Sequence, residues 1–217
     1  MIKYMFPLFE TIRFDDGRAG IWSYHASRLY SSCLKLYGIP PAFDPEKAIE
    51  VPEACRMGVW KCRLLYNASA CMVEWQPYVK RALKRLIVKD SENLDYQLKY
   101  TDRSALDGFG PGLGDDEEVL LVRNGLVTDT RYTNVALFDG LSWITPEHPL
   151  LPGTRRMELL DFNIIRQGVV KMTDLRASEE SKESLYDRIR LFNAMIPWEE
   201  AIELPIECVQ TKIQQDD

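Results

Sequence analysis

The residues of this chain that could do chemistry lie in three short segments, and the first holds Lys99. This lysine stands in the sequence Leu-Lys-Tyr-Thr-Asp-Arg, after the alternating segment 95–98, so it could project from the end of a strand into a cleft. A lysine whose surroundings lower its pKa to near neutrality can attack a carbonyl carbon as an uncharged amine. The alternative is an ordinary solvated lysine, which is the commoner case for a single lysine. The other two segments therefore decide between these interpretations.

The second segment, 125–135 (GLVTDTRYTNV), places Asp129 just past a strong hairpin signal at Asn124-Gly125. A carboxylate there could pair with a protonated pyridine nitrogen and make the ring a better electron sink. Taken alone, Asp129 is better explained as a carboxylate at a turn or a strand edge.

The third segment, Leu150-Leu-Pro-Gly-Thr-Arg155, leads directly into a helical pattern. Free N–H groups and the helix dipole at such a start favour a phosphate, and Gly153 lets the backbone approach an anion closely. The alternative is a common proline-glycine start of a helix. Together, a carbonyl-binding lysine, an acid and a phosphate-binding helix start are the set that a pyridoxal-phosphate enzyme needs.

Arg28 is a further candidate for phosphate binding, in the sequence His25-Ala-Ser-Arg-Leu29 of the first predicted helix. A buried arginine on the apolar side of that helix requires an anion, and a guanidinium can bind two phosphate oxygens at once. The alternative is a solvent-facing helix arginine. We expect His25 to be packed and hydrogen-bonded and not to be a catalyst.

Composition excludes several classes of protein. The 217 residues, 46% of them hydrophobic, suit one large domain or two small lobes with a real core. A net charge of −6 argues against nucleic-acid binding. No apolar stretch is long enough for a membrane span or a signal peptide, so we expect a cytoplasmic protein without a membrane partner. Five cysteines without a Cys-x-x-Cys pair, and two histidines, argue against disulfides and against a metal site.

The hydrophobic pattern predicts an α+β protein of two lobes. Strands are predicted over 6–14, 58–66, 69–76, 83–89, 119–123, 126–138, 141–144 and 188–195, with further short strands up to 209. Helices are predicted over 23–37, 155–166 and 178–187. The glycine-rich segment 108–116 is predicted to be a linker between an N-terminal lobe, 1–107, and a C-terminal lobe, 117–217.

The order of these motifs resembles that of the class IV aminotransferases, which are fold-type IV pyridoxal-phosphate enzymes. The family includes branched-chain and D-amino-acid aminotransferases and aminodeoxychorismate lyase. The resemblance covers about residues 8 to 209 and includes Phe9-Glu-Thr, His25-x-x-Arg-Leu and Thr145-Pro. It implies the two-lobed fold of the D-amino-acid aminotransferases, with a shortened N-terminus, a pyridoxal 5'-phosphate cofactor, a small amino substrate and a homodimer.

The resemblance also implies a role for each matching residue. Lys99 corresponds to the Schiff-base lysine, which also moves the substrate proton. The residues that would contact the cofactor besides it are Arg28, Asp129, Thr154, Arg155 and Asn193. Of these, Asp129 stands where the family usually has glutamate. Lys61 and Arg63 lie on the strand from which family members often bind the substrate carboxylate.

Two details bear on the reaction. The sequence around Lys99 most resembles that of the lyase, and Ser104 stands where branched-chain enzymes have tyrosine. The sequence thus predicts a 4-amino-4-deoxychorismate lyase-like enzyme or an aminotransferase. The alternatives are a degenerate member that binds pyridoxal phosphate or an anion without turnover, and a structural protein that keeps the fold alone.

Overall fold

A computed structural model describes residues 2–175 and 184–211 of the chain. The α-helices are α1 (Ile2–Met5), α2 (Trp22–Tyr37), α3 (Ser104–Asp107) and α4 (Thr154–Asp161). The strands are β1 (Leu8–Asp15), β2 (Arg18–Ala19), β3 (Val59–Tyr66), β4 (Cys71–Pro77), β5 (Arg85–Asp90), β6 (Glu117–Arg123), β7 (Leu126–Val127), β8 (Asn134–Phe138), β9 (Trp143–Pro146), β10 (Arg166–Gly168), β11 (Arg188–Phe192), β12 (Ile202–Pro205) and β13 (Val209–Thr211). Short 3₁₀ turns cover Glu53–Cys55, Met172–Leu175, Trp198–Glu200 and Ile206–Cys208.

Contacts between residues divide the described chain into two compact units. The first unit contains residues 2–80, 96–103 and 194–197, and the second contains the rest of the described residues. The glycine-rich segment 108–116 lies within the second unit. The lobe boundaries expected from the sequence stay a prediction.

The first unit is built on an antiparallel sheet in the order β2-β1-β3-β4. Alternate residues of β1 point to one face, and Leu8, Ile12 and Phe14 pack there in a core cluster with Leu29 and Cys33 of α2. The buried positions of α2 recur at helical spacing, which explains why this segment forms a helix against the sheet.

Residues 99–101 run beside the start of β1, which fixes the backbone of Lys99. The N–H of Phe9 donates to the carbonyl of Lys99 at 3.1 Å, and the N–H of Thr101 donates to that of Pro7 at 2.8 Å. Leu8 and Tyr100 form an antiparallel bridge between these two bonds. The lysine therefore projects from backbone that is bonded to a sheet.

The second unit contains two sheets. One has five strands in the order β10-β9-β8-β11-β12, and the other has four in the order β13-β5-β6-β7, with β5 parallel to both β6 and β13. Leu86 and Leu120 of the four-stranded sheet share a core cluster with Val135, Leu137 and Ile189 of the five-stranded sheet. Continuous apolar runs such as that of β6 match strands buried on both faces.

The α+β class expected from the sequence is confirmed, and most elements lie within a few residues of their predicted bounds. The predicted strand 126–138 is instead two short strands, because residues 128–133 form a turn in which Thr130 bonds Thr133. The predicted helix 155–166 ends at Asp161, since Asn163 adopts a positive φ of 55° and the following residues enter β10.

The predicted helix 178–187 lies mostly outside the described residues, and its described part, 184–187, is not helical. Among the residues that the structure describes, no helix has the length and apolar character that crossing a membrane requires.

Candidate functional site

The helix α2 brings two polar side chains into the first unit. It ends at Gly38, whose φ of 74° suits glycine and whose N–H donates to the carbonyl of Leu34 at 3.0 Å. His25 lies on the buried side of the helix together with Leu29, and Arg28 lies one turn from His25 with only 10% of its side chain exposed. An imidazole and a guanidinium buried in this way require polar partners.

Both partners are supplied by one residue, Glu10 of β1, which is completely buried. The Arg28 guanidinium donates through Nε to Oε1 at 2.9 Å and through Nη2 to Oε2. Oε2 also lies 2.7 Å from Nδ1 of His25. The arginine is therefore buried beside an anion, and the anion that it contacts in the structure is the Glu10 carboxylate. Its predicted contact with a phosphate stays a prediction.

The protonation states of this cluster follow from its contacts. Burial opposes ionisation of Glu10, but the charge of Arg28 and the hydrogen bonds from His25 and Arg28 outweigh it and lower the pKa to about 2. Burial lowers the pKa of His25 in spite of the nearby carboxylate. At neutral pH the cluster therefore holds an ionised Glu10, a charged Arg28 and an uncharged His25 that donates from Nδ1.

Lys99 is a second cationic side chain of the first unit, and it is partly buried. Its Nζ lies 4.7 Å from the centre of the Phe9 ring, and among the described residues it forms no hydrogen bond or ion pair. Burial lowers its pKa to about 7, with further lowering by Arg28, Arg103 and Arg63, while Glu10 acts in the opposite direction. A lysine with this pKa is largely an uncharged nucleophile at pH 8.

The two residues predicted to bind a substrate carboxylate lie on β3, on the same face of the sheet. Arg63 pairs with Glu74 at 2.8 Å and also lies 5.1 Å from the ring centre of Phe9, the ring that Lys99 contacts. Lys61 lies opposite Arg13 of β1 and forms no side-chain ion pair with the described residues. Burial and the nearby charge of Arg63 lower the pKa of Lys61. Their binding of a substrate stays a prediction.

In the second unit, Asp129 follows β7 and its carboxylate is held by two donors. Asn134 donates from Nδ2 to Oδ1 at 2.7 Å, and the backbone N–H of Leu151 donates to Oδ2 at 3.1 Å. Burial nevertheless raises the pKa to about 6, although Asn134, the Leu151 N–H and the charge of Arg156 favour ionisation. The pKa of the Asp129 carboxyl group is therefore close to neutral pH.

The turn before α4 packs tightly against that acid. A Cβ atom on Gly153 would lie 1.9 Å from Oδ1 of Asn134, so the close approach requires glycine. Thr154 is buried at the start of α4, where the first N–H groups have no partner within the helix. The side chain of Arg155 forms an ion pair with Glu158. The backbone N–H groups of the turn are therefore the groups that would bind an anion.

Asn193 donates from Nδ2 to the carbonyl of Tyr132 at 2.9 Å, which ties it to the loop that carries Asp129. The first unit thus brings Arg63 and Lys99 together at the ring of Phe9 and holds Arg28 against Glu10. The second unit brings together Asp129 and the turn before α4. The cofactor contacts of all these residues stay predictions.

Sequence reasoning assigned no role to Glu10 or Asn134, although both stand in the quoted motifs. The signal for Glu10 was available, because a carboxylate in the apolar alternation Leu8, Ile12, Phe14 requires a buried cation. Asn134 carried no comparable signal, since its importance comes from the contact across to residues 151–153.

The description "Amino-transferase class IV" belongs to the family model that matches this chain, over residues 7–182. An uncharacterized protein of Haemophilus influenzae is 28% identical over 193 residues, which are 88% of this chain and 98% of that protein.

Solved structures resemble the chain as well. A protein of Haemophilus somnus, provisionally assigned as a 4-amino-4-deoxychorismate lyase, is 34% identical, with a TM-score of 0.79 over 88% of this chain and 97% of that one. A hypothetical aminotransferase of Mycobacterium tuberculosis in its PLP-bound form is 20% identical, with a TM-score of 0.70 over 91% of this chain and 80% of that one.

Proposed function

Because the chain belongs to the class IV amino-transferase family, we propose that it is a pyridoxal-phosphate-dependent enzyme acting on a small amino substrate. Of the two reactions that fit, a 4-amino-4-deoxychorismate lyase-like elimination is favoured over transamination. The lyase-like sequence around Lys99 supports this choice, as does the likeness to the Haemophilus somnus protein at 34% identity.

The observation that supports the proposal most strongly is the lowered pKa and partial burial of the Lys99 amine. Its amine has a pKa of about 7, is partly buried and forms no ion pair with a described residue, so it is ready to attack a carbonyl. Lysines with structural roles are usually charged and paired or solvated. The remaining residues also fit the cofactor, since Asp129 is a buried acid and α4 begins with free backbone donors.

Pyridoxal phosphate, when bound, supplies an electron-withdrawing ring and a reactive carbonyl group. We propose that the amine of Lys99 would hold the carbonyl carbon of this group and would move the proton at the substrate α-carbon. Asp129 would hold the ring nitrogen in its protonated form. Lys61 and Arg63 would bind the substrate carboxylate.

The phosphate would be held by charge and by backbone donors. The residues proposed for this are Arg28, the amides of Thr154 and Arg155, and Asn193. The charge of Arg28 is already partly balanced by Glu10, so we expect the backbone amides to contribute strongly to phosphate affinity.

A degenerate relative that binds the cofactor without turnover is the second candidate. Asp129 favours it, because aspartate is one methylene shorter than the glutamate usual in the family and its oxygens are already bonded to Asn134 and Leu151. Substrate-dependent change of the cofactor spectrum distinguishes the two, since a binder without turnover gives no product with any amino donor. Release of pyruvate would identify the elimination, and formation of an oxo acid from the donor would identify transamination.

The proposal is tested by borohydride reduction of the protein with bound pyridoxal phosphate, followed by peptide mass mapping. We expect the reduced pyridoxyl group on Lys99. Lys99→Ala should abolish the visible absorbance of the bound cofactor while the far-ultraviolet circular dichroism of the protein stays unchanged. The matched control is Lys61→Ala, which removes another partly buried lysine and should retain the label on Lys99. A label spread over surface lysines would refute the proposal.

A further inference from the structure

We propose that Phe9 is a positioning residue for Lys99, because its buried ring gives the lysine amine an aromatic face that the guanidinium of Arg63 also contacts. The inference deepens the proposed function and rests on it for the role of Lys99 as the reactive amine. All of the residues that support it belong to the first unit.

The ring of Phe9 is fixed in place by its packing. Phe9 is 5% exposed and forms an apolar cluster with Phe6 and Leu65, against which Met72 packs. Leu65 is also the residue that pairs with Phe9 where β1 runs beside β3. Because closely packed side chains keep a defined orientation, the ring can serve as a fixed contact for a more flexible neighbour.

Phe9 contacts both the backbone and the amine of Lys99. Its N–H donates to the carbonyl of Lys99 at 3.1 Å, and its ring centre lies 4.7 Å from Nζ. The stem of a lysine side chain is flexible, so the amine needs a contact to hold it in one place. Among the described residues the amine forms no hydrogen bond or ion pair, and the ring supplies that contact.

Arg63 of β3 contacts the same ring. Its Cζ lies 5.1 Å from the ring centre, and its Nη1 donates to Oε2 of Glu74 on β4 at 2.8 Å. The guanidinium is thus held from two sides, by the ring and by the carboxylate. Because the ring contacts the lysine amine as well, Phe9 holds the reactive amine and a predicted substrate-binding guanidinium in a fixed relation to each other.

These contacts require an aromatic residue at position 9, whereas packing alone does not. A leucine would also suit an apolar cluster of this kind. The face of an aromatic ring carries a negative partial charge that attracts a cation within about 6 Å, and an aliphatic side chain has no such face. We therefore expect the Phe9 ring to attract the charged form of the Lys99 amine and to hold the side chain over the ring.

Other influences act on the charge of this amine. Burial opposes its protonation most strongly, Arg28, Arg103 and Arg63 oppose it as well, and Glu10 favours it. Loosening of the packing around Lys99 would admit water and raise the pKa of the amine. Loss of the aromatic attraction alone would instead lower that pKa, so the two effects have opposite signs.

The experiment changes the charge distribution of the ring and keeps its shape. Pentafluorophenylalanine at position 9 resembles phenylalanine in shape, but its fluorine atoms withdraw negative charge from the ring face. Acetic anhydride labels uncharged amines, so the pH dependence of Lys99 labelling, followed by peptide mass mapping in the protein without cofactor, gives a midpoint. The wild-type midpoint should lie at about pH 7. The fluorinated ring should lower it by roughly half a pKa unit, which raises the labelling rate at pH 6 about threefold.

Pentafluorophenylalanine at position 14 is the matched control. Phe14 is a buried phenylalanine of the same strand, but it belongs to the core cluster on the opposite face of the sheet, where its ring contacts Trp75. The same replacement there should leave the midpoint unchanged. If the protein with the fluorinated ring at position 9 fails to fold, Phe9→Leu takes its place, and a midpoint that is not lowered then overturns the inference.

The inference is also overturned if the fluorinated ring at position 9 raises the midpoint or leaves it unchanged, or if position 14 gives an equal shift. Its failure can be told apart from failure of the proposed function, because the labelling needs no cofactor. Absence of a borohydride-fixed pyridoxyl group on Lys99 would end the proposed function and leave the labelling result as it stands.

Discussion

Asp129 and Glu10 are both buried carboxylates, yet their acidities differ widely. Glu10 contacts a guanidinium and its pKa falls to about 2, whereas Asp129 accepts hydrogen bonds from an amide side chain and a backbone N–H and its pKa rises to about 6. The difference is a directly bonded cation, which Asp129 lacks among the described residues. A protonated ring nitrogen bound beside Asp129 would supply that cation and lower its pKa.

The raised pKa of Asp129 predicts a specific pH dependence of stability in the protein without cofactor. The folded protein binds the Asp129 proton more tightly than the unfolded chain, so ionisation of this group costs stability as the pH rises from about 4 through 6. Asp129→Asn removes that cost. Between pH 4 and pH 7 the unfolding free energy of the variant should improve relative to wild type by about 2 kcal/mol.

Denaturant unfolding of both proteins at the two pH values measures this difference. Asp95→Asn, an exposed aspartate of the same unit, serves as the control and should show no such change. Equal responses of wild type and Asp129→Asn to pH would contradict the raised pKa. Addition of pyridoxal phosphate to wild type should abolish the effect if Asp129 pairs with a cationic ring nitrogen.

At the scale of elements, the start of α4 depends on one glycine. Gly153 has an ordinary φ of −71°, so the backbone would accept alanine, but the added methyl group would meet Oδ1 of Asn134 at 1.9 Å. The Asn134 side chain cannot easily move away, because its Nδ2 donates hydrogen bonds to both Asp129 and the carbonyl of Leu151. Gly153→Ala should therefore lower the unfolding free energy by about 1–3 kcal/mol, the cost of disrupting buried hydrogen bonds.

Chemical denaturation measures the effect, and Gly114→Ala is the matched control. Gly114 belongs to the same unit, has no positive φ and would place its Cβ atom no closer than 3.6 Å to a neighbour. Its substitution should change stability by less than about 0.5 kcal/mol. Loss of equal stability in the two variants would mean that the tight contact with Asn134 is not the cause.

Elements with a clear periodic pattern of hydrophobic residues could be predicted from the sequence. Elements fixed by contacts between residues far apart in the sequence could not. The helix over 23–37 and the strands over 58–66 and 83–89 agree closely with α2, β3 and β5. The break between β7 and β8 could not be predicted, because the apolar alternation continues through residues 128–133 while hydrogen bonds of Thr130 turn the chain.

The same distinction applies to the candidate site. Lys99, Arg28 and Asp129 could be selected from residue type and motif order, and all three are partly or fully buried in the structure. The ion pair of Arg28 with Glu10 required the register of β1 against α2, which sequence patterns do not contain. The likeness to a known family supplied the functional roles, which spacing alone leaves open.

At the scale of the whole molecule, the acidic charge of the chain bears on its assembly. The resemblance to class IV aminotransferases implies a homodimer, and each copy carries a formal net charge of −6. We expect the net charges of two such copies to repel, so association would rest on apolar burial and would improve when salt screens the charges. The Debye length falls from about 30 Å at 0.01 M salt to about 8 Å at 0.15 M.

We therefore predict a particle of twice 25.1 kDa in sedimentation equilibrium at 0.15 M salt, and weaker association at 0.01 M salt. Dimerisation also stabilises the folded chain by mass action, so the melting temperature should rise with protein concentration under the same conditions. A mass of 25.1 kDa at all concentrations and both salt levels, with a constant melting temperature, would exclude the dimer. Stronger association at low salt would show instead that opposite charges on the two copies attract each other across the interface, in spite of the net charge.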